Sequence, residues 1–152
     1  VNIGQPAPDF SLPAEDSSCF RLAEQLGTPQ LLVFYPMDDS PVCTAQLCDY
    51  RDGIEQFADL GIDVVGISPD SPESHQAFRE RHKLPFPLLS DPDYEAARLY
   101  GCKGVLGMKR GVFLVDGAGT LRYRNVLAVA MFRQTRDEIL EALEELGLEQ
   151  SS

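Results

Sequence analysis

The sequence predicts an α/β domain built on a mixed central β-sheet, and three observations predict it. Two short, unbroken apolar runs read as strands buried on both faces. Helical periodicity fills the stretches that follow each of them. A hairpin and a closing helix complete the chain, so that strands and helices alternate and then give way to antiparallel pairing.

Taken in order, Gln30-Leu31-Leu32-Val33-Phe34-Tyr35 is the first buried strand. Pro41 to Leu60 carries apolar residues at 43, 47, 50, 54, 57 and 58, the spacing of one helix face, and reads as a single helix. Ile62-Asp63-Val64-Val65-Gly66-Ile67 is the second strand, entered from Gly61 and left at Pro69. Ser71-Pro72-Glu73 opens a helix that runs to Lys83, with serine as N-cap and proline at the first helical position. Asp93 to Tyr100 is a shorter helix. Gly111 to Val115 and Leu121 to Val126 flank Asp116-Gly117-Ala118-Gly119-Thr120 and read as a hairpin. Thr135-Arg136-Asp137-Glu138 is a capping box for the last helix, which stops at Gly147.

A chain of 152 residues with 43% hydrophobic and 24% charged residues suits one domain, 1–152, that buries its core without disulfide staples. Intrinsic disorder, collagen-like repeats and a small cystine scaffold are excluded. Thirteen basic against twenty-four acidic residues give a net charge of −11, which repels nucleic acid and anionic membrane surfaces. The C-terminal acids Asp137, Glu138, Glu141, Glu144, Glu145 and Glu149 read as the solvated face of a helix. No apolar run approaches the roughly 20 residues that cross a bilayer. The start has neither a basic region nor the apolar core of a signal peptide, although the chain begins at Val1 with no Met. Cys19, Cys43, Cys48 and Cys102 lack the paired spacings of a zinc site, and only His75 and His82 are available to help. A reducing compartment with one or two working cysteines is expected, and no structural metal.

The most informative segment is Tyr35-Pro36-Met37-Asp38-Asp39-Ser40-Pro41-Val42-Cys43-Thr44, where a buried strand ends, a loop follows and a helix begins. Binding sites in α/β sheets lie beyond such strand ends. Ser40 as N-cap and Pro41 as first helical residue place Cys43 at the third helical position. Its sulfur there faces unpaired backbone N–H groups at the positive end of the helix dipole, an environment that favours the ionised form of a thiol. The plain alternative for Cys43 is a small buried hydrophobe.

Cys48 lies five residues on, which turns a helix so that the two side chains point about 140° apart. Cys43 shares the apolar stripe with Leu47, Tyr50 and Ile54, whereas Cys48 aligns with Asp52, Glu55 and Asp59 as an exposed thiol on the polar side. Two such helical Cα atoms are about 8.7 Å apart at a rise of about 1.5 Å per residue, and a disulfide needs less than about 7 Å. The hypothesis is that Cys43 reacts first and the opening turns then unwind to let Cys48 attack it.

Pro36-x-x-x-Ser40-x-x-Cys43 resembles the peroxiredoxin active-site motif, and Cys48 resembles the resolving cysteine of the peroxiredoxin Q (bacterioferritin comigratory protein) subfamily. Gly4-Gln5-Pro6-Ala7-Pro8-Asp9-Phe10, Ser68-Pro69-Asp70, Leu89-Ser90-Asp91-Pro92 and Arg110-Gly111-Val112-Phe113-Leu114 also look like blocks of that family. The resemblance implies a thioredoxin-like fold and a thiol peroxidase without metal, haem or flavin. In it Cys43 is the peroxidatic nucleophile that becomes a sulfenic acid, and Ser40 hydrogen-bonds thiolate and peroxide. Arg110 stabilises the thiolate and orients peroxide, and Pro36 shields the pocket from water. Cys48 condenses with the sulfenic acid to an intramolecular disulfide that thioredoxin or a similar dithiol protein opens. A rapid resolving step protects sulfenic acid from irreversible oxidation, and arginine offers a permanent charge with a planar fork of donors. The subfamily also implies a monomer, in a bacterial cytoplasm or, where a leader has been removed, an organellar stroma.

Val42 stands where glycine is frequent in the subfamily and narrows the pocket. Leu127-Ala128-Val129-Ala130-Met131-Phe132 is more apolar than expected and reads as core or pocket wall. It also motivates an alternative, a redox-sensing or chaperone-like binding protein switched by Cys43 oxidation. A general disulfide oxidoreductase is disfavoured by the four-residue gap between Cys43 and Cys48. Cys102 is a minor rival for the resolving role, Cys19 idles in a loop, and His75 and His82 are solvated on a charged helix.

Overall fold

The two unbroken apolar runs sit side by side at the centre of a five-stranded sheet, where both faces of each strand are covered. The computed structural model describes residues 2–104, 107–127 and 136–145. The elements in chain order are β1 (Ser11–Pro13), β2 (Cys19–Arg21), a short 3-10 helix (Leu22–Gln25), β3 (Gln30–Phe34), α1 (Pro41–Asp52), α2 (Ile54–Asp59) and β4 (Asp63–Ser68). They continue with α3 (Pro72–His82), β5 (Leu88–Ser90), α4 (Glu95–Leu99), β6 (Lys103–Gly104), β7 (Gly107–Met108), β8 (Arg110–Val115), β9 (Leu121–Leu127) and α5 (Arg136–Glu145).

The sheet order is β5-β4-β3-β8-β9. Strands β3, β4 and β5 are parallel, whereas β8 runs antiparallel to both β3 and β9. This is the mixed α/β sheet the sequence predicts. Side chains alternate across it as pleating requires. Leu31, Val33, Val112 and Leu114 pack with α1, α2, α3 and α5 through Leu47, Phe57, Phe78 and Ile139. Leu32, Phe34, Phe113 and Val115 face the other way, against Phe10, Leu22, Ala97 and Tyr100.

The helix expected over 41–60 is two helices. Gly53 adopts φ −100° and ψ 13°, ends α1 and starts α2, because a residue without a Cβ costs most inside a helix and least at a break. α3 begins as expected, with the Ser71 hydroxyl accepting from the Ser74 N–H, and ends at Lys83 in the left-handed region. α4 is shorter than the 93–100 span, since Tyr94 has φ 58° and the Asp91 carboxylate takes the N–H groups of Glu95 and Ala97. Thr135 and Gly147, the expected cap and stop of the last helix, lie outside the described residues.

The sheet centre is tight at Gly111. A Cβ there would lie 2.7 Å from Cys102 Sγ and 3.0 Å from the Phe113 ring. Gly111→Ala is therefore expected to cost about 1–3 kcal/mol, read as a fall of several degrees in the thermal midpoint. An unchanged midpoint would show that the two faces part freely at that strand.

Candidate active site

The strand-to-helix connection expected to carry the chemistry is a short loop closed by hydrogen bonds at Ser40. β3 ends at Phe34, Tyr35 continues buried, and Pro36 is half-buried behind it. Asp39 takes φ 63°, a left-handed conformation that is uncommon outside glycine and that aspartate adopts more readily than most residues. Ser40 is extended, its carbonyl accepts the first helical hydrogen bond from Thr44 at 2.9 Å, and Pro41 takes the first helical position.

Ser40 departs from the expected cap. Its hydroxyl makes no capping bond and donates instead to the Met37 carbonyl at 3.1 Å. The left-handed turn at Asp39 brings that carbonyl within reach, so the hydroxyl closes the loop rather than occupying the N–H groups of the first helical turn.

Cys43 is the third residue of α1 and is buried against the sheet. Arg110 Nη2 donates to its Sγ at 3.3 Å. The arginine reaches it because β8 is antiparallel to β3 and pairs Gly111 with Phe34, which sets the first residue of β8 beside the end of β3. Even-numbered positions of β8 face the helices carrying the cysteine, as Val112 and Leu114 do. Arg110 is only 1% exposed, so it places a permanent charge against sulfur in a setting that screens little.

Gln46 was not singled out by the sequence, yet it completes this geometry. Its Oε1 accepts from Arg110 Nη1 at 2.8 Å, and its Nε2 donates to the Tyr50 hydroxyl at 3.2 Å. One helical turn beyond Cys43 on the same side, its position was a usable signal, since a buried glutamine needs partners for both ends of its amide.

Cys48 lies in the same helix, half-buried rather than exposed as expected. All four cysteines are free thiols. Nearby Arg51 donates to the His82 carbonyl at 2.7 Å and to Asp52 at 2.9 Å. The Asp52 hydrogen bond, with a contribution from the Cys48 sulfur, holds the Arg51 guanidinium above its ordinary proton affinity. Cys102 is buried with the cluster on the other face of the sheet from Cys43, and burial pushes its thiol up to about 12. Cys19 is in β2 rather than in a loop, exposed, with its sulfur 2.8 Å from the Ser11 hydroxyl.

His75 overturns the expectation of a solvated residue. It is fully buried, with Nδ1 2.8 Å from Asp38 Oδ2 and Nε2 2.9 Å from the Leu89 carbonyl oxygen. Charged neighbours on its helix mask the inward face that it shares with Phe78. His82 keeps a quarter of its side chain exposed. Val42 is half-buried. The apolar stretch 127–132 lies outside the described residues except for Leu127, whose backbone ends β9. Among the described residues no helix is long and apolar enough to cross a membrane.

Residues 3–124 match the model of the AhpC/TSA family. Peroxiredoxin Bcp of Bacillus subtilis (strain 168) is 36% identical over 96% of this chain and 95% of its own length. The chloroplastic peroxiredoxin Q of Populus jackii is 44% identical over 66% of this chain and 47% of its own. Among solved structures, peroxidoxin BcpB from Mycobacterium tuberculosis superimposes with a TM-score of 0.82 at 29% identity, covering 99% of this chain and 97% of that one. The five-stranded mixed sheet is thus the thioredoxin-like fold of peroxiredoxins. The family match, relatives of this kind and a cysteine at a helix start beneath a buried arginine lead to one conclusion: the chain belongs to the AhpC/TSA family of peroxiredoxins.

Proposed function

We propose that this peroxidase reduces hydrogen peroxide and organic hydroperoxides through Cys43, resolves the product with Cys48, and is recycled by thioredoxin or a similar dithiol protein. The observation that carries the reading is the Arg110 guanidinium 3.3 Å from a sulfur held in the first turn of a helix.

The Cys43 thiolate attacks one oxygen of the peroxide bond. The S–O bond forms as O–O breaks, sulfur is oxidised to sulfenic acid, and the other oxygen leaves as water or alcohol after taking a proton. Arg110 balances charge on sulfur and on the departing oxygen, where preorganised donors count most. Ser40 turns its hydroxyl from the Met37 carbonyl toward thiolate and peroxide, and Pro36 walls the pocket from water. Cys48 then attacks the sulfenic sulfur, an S–S bond forms, and water leaves. A dithiol protein reduces that bond to two thiols. The cycle needs no metal, haem or flavin. It closes within one chain, so a monomer suffices, and the acidic surface leaves nucleic acid and membrane outside the scheme. The chemistry suits a reducing bacterial cytoplasm or organellar stroma.

Resolution requires the first turns of α1 to open, because helical positions five apart are about 8.7 Å apart at Cα and a disulfide needs less than about 7 Å. The Arg51–His82 contact and the break at Gly53 bound that opening on the C-terminal side.

Mass spectrometry of the peroxide-treated protein is expected to find Cys43 linked to Cys48, with protease cleavage within residues 41–50 faster in the oxidised form. Cys48→Ser is expected to keep one round of peroxide reduction and to lose recycling by thioredoxin. Recycling retained in that variant would assign resolution to Cys102 or to an external thiol, and equal protection of both forms would exclude unwinding.

A further inference from the structure

Asp38 is buried in the loop that leads into α1, with 2% of its side chain exposed. Its carboxylate accepts three hydrogen bonds, from the Tyr35 hydroxyl at 2.6 Å, the Ser74 hydroxyl at 2.8 Å and His75 Nδ1 at 2.8 Å. Burial, and then the Asp38 charge, push the Tyr35 phenol well above its ordinary range, so it remains a donor. The Asp38 backbone N–H donates to Asp70 Oδ2 at 2.7 Å, and the Ser68 hydroxyl donates to the same oxygen at 2.7 Å. His75 Nε2 meets the Leu89 carbonyl, which can only accept. The imidazole thus bridges the loop to β5 from the first turns of α3. Asp39, the next residue, pairs with Arg81 near the far end of α3.

Asp38, Asp70 and His75 bring ligand-type atoms within 4.8 Å of one another. Those atoms are committed to hydrogen bonds within the protein, and the arrangement is a clasp rather than an open cation site. Two adjacent aspartates grip both ends of one helix immediately before Ser40. A loop so held fixes where Ser40 and the first turn of α1 stand relative to Arg110.

We propose that His75 is a positioning residue for peroxide reduction: through Asp38 it holds the Tyr35–Ser40 loop so that Cys43 and Ser40 meet peroxide in the geometry that contacts Arg110. This rests on the reading of Cys43 as the nucleophile. The argument is geometric, since an ångström of misplacement at reacting atoms costs on the order of a hundredfold in rate.

Two substitutions separate the arms of the imidazole. His75→Asn retains a donor near the Nδ1 position, toward Asp38. His75→Gln retains one near Nε2, toward Leu89. The reduced chain is mixed with hydrogen peroxide, quenched at intervals and alkylated, and Cys43 oxidation is followed by mass spectrometry. His75→Gln is expected to slow that step about tenfold or more, and His75→Asn to stay within about threefold of wild type. Leu84→Ala loosens the chain beyond α3 without touching Asp38, and is expected to lower the thermal midpoint while leaving the oxidation rate unchanged. A wild-type rate in His75→Gln overturns the proposal. So does an equal loss in His75→Asn, or an equal loss in Leu84→Ala, either of which assigns His75 to packing alone. Wild-type protein that leaves peroxide untouched overturns the nucleophile reading itself; an active wild type with an unaffected His75→Gln overturns the positioning role alone.

Discussion

Cys43→Ser is expected to reduce peroxide consumption by about 10⁴-fold or more, because the proposed mechanism makes Cys43 the nucleophile and an enzyme without its nucleophile retains only residual catalysis. A hydroxyl cannot be oxidised as sulfur is, and the remaining thiols stand elsewhere. Cys102 stays a protonated thiol at neutral pH, since burial pushes it up to about 12 and the protonated form holds below that value. Cys19 is exposed near the N-terminus, and Cys48 lies further along α1. The serine hydroxyl keeps a partner in Arg110, so the variant is expected to remain folded, with a stability change of about 1 kcal/mol. Quench-flow measurement of peroxide loss, alongside a thermal melt, checks both parts. Consumption at the wild-type rate would move the nucleophile to another sulfur.

Arg110→Met is expected to separate activity from stability. Removing a preorganised donor from a reacting centre costs about 10²–10³ in rate, and here the contact at 3.3 Å to Cys43 is lost together with the charge. A buried charge contributes little net stability against an apolar residue of similar volume, so the thermal midpoint is expected to hold or rise, offset by the Gln46 oxygen that loses its 2.8 Å donor. Arg110→Lys keeps the charge but not the fork that spans Cys43 and Gln46, and an intermediate loss is expected. Single-turnover rates and melts of the two variants decide the matter. A fall in midpoint with activity intact would make Arg110 a structural residue.

Local pattern carried much of this protein. The apolar runs at 30–35 and 62–67 announced the buried strands, because burial on both faces requires continuous apolar sequence. Ser71-Pro72 announced α3, since capping depends on residues within one turn. Asp116 to Thr120 announced the hairpin, although the short strands β1, β2, β5, β6 and β7 passed unseen, being too brief for any period to register. The cysteine at a helix start was legible for the same local reason: strand, loop, serine, proline and cysteine follow one another directly.

What the sequence could not display is partnership across distance. Arg110 carries a role through the motif it resembles, but its place beside Cys43, 67 residues away in the chain, follows from antiparallel pairing of β8 with β3. Gln46 gained meaning only once that arginine stood over it. His75 looked solvated amid charged neighbours because helix periodicity measures average polarity, whereas its burial depends on one carboxylate 37 residues earlier. Ser40 looked like a cap until Asp39 turned left-handed and offered its hydroxyl a nearer carbonyl. The sequence by itself determined the longer strands and helices and the placing of a cysteine at a helix start, because these follow from short-range sterics and hydrophobic period. Only the tertiary structure decided which polar groups satisfy one another, because a buried donor is matched by whichever acceptor the packed chain brings to it.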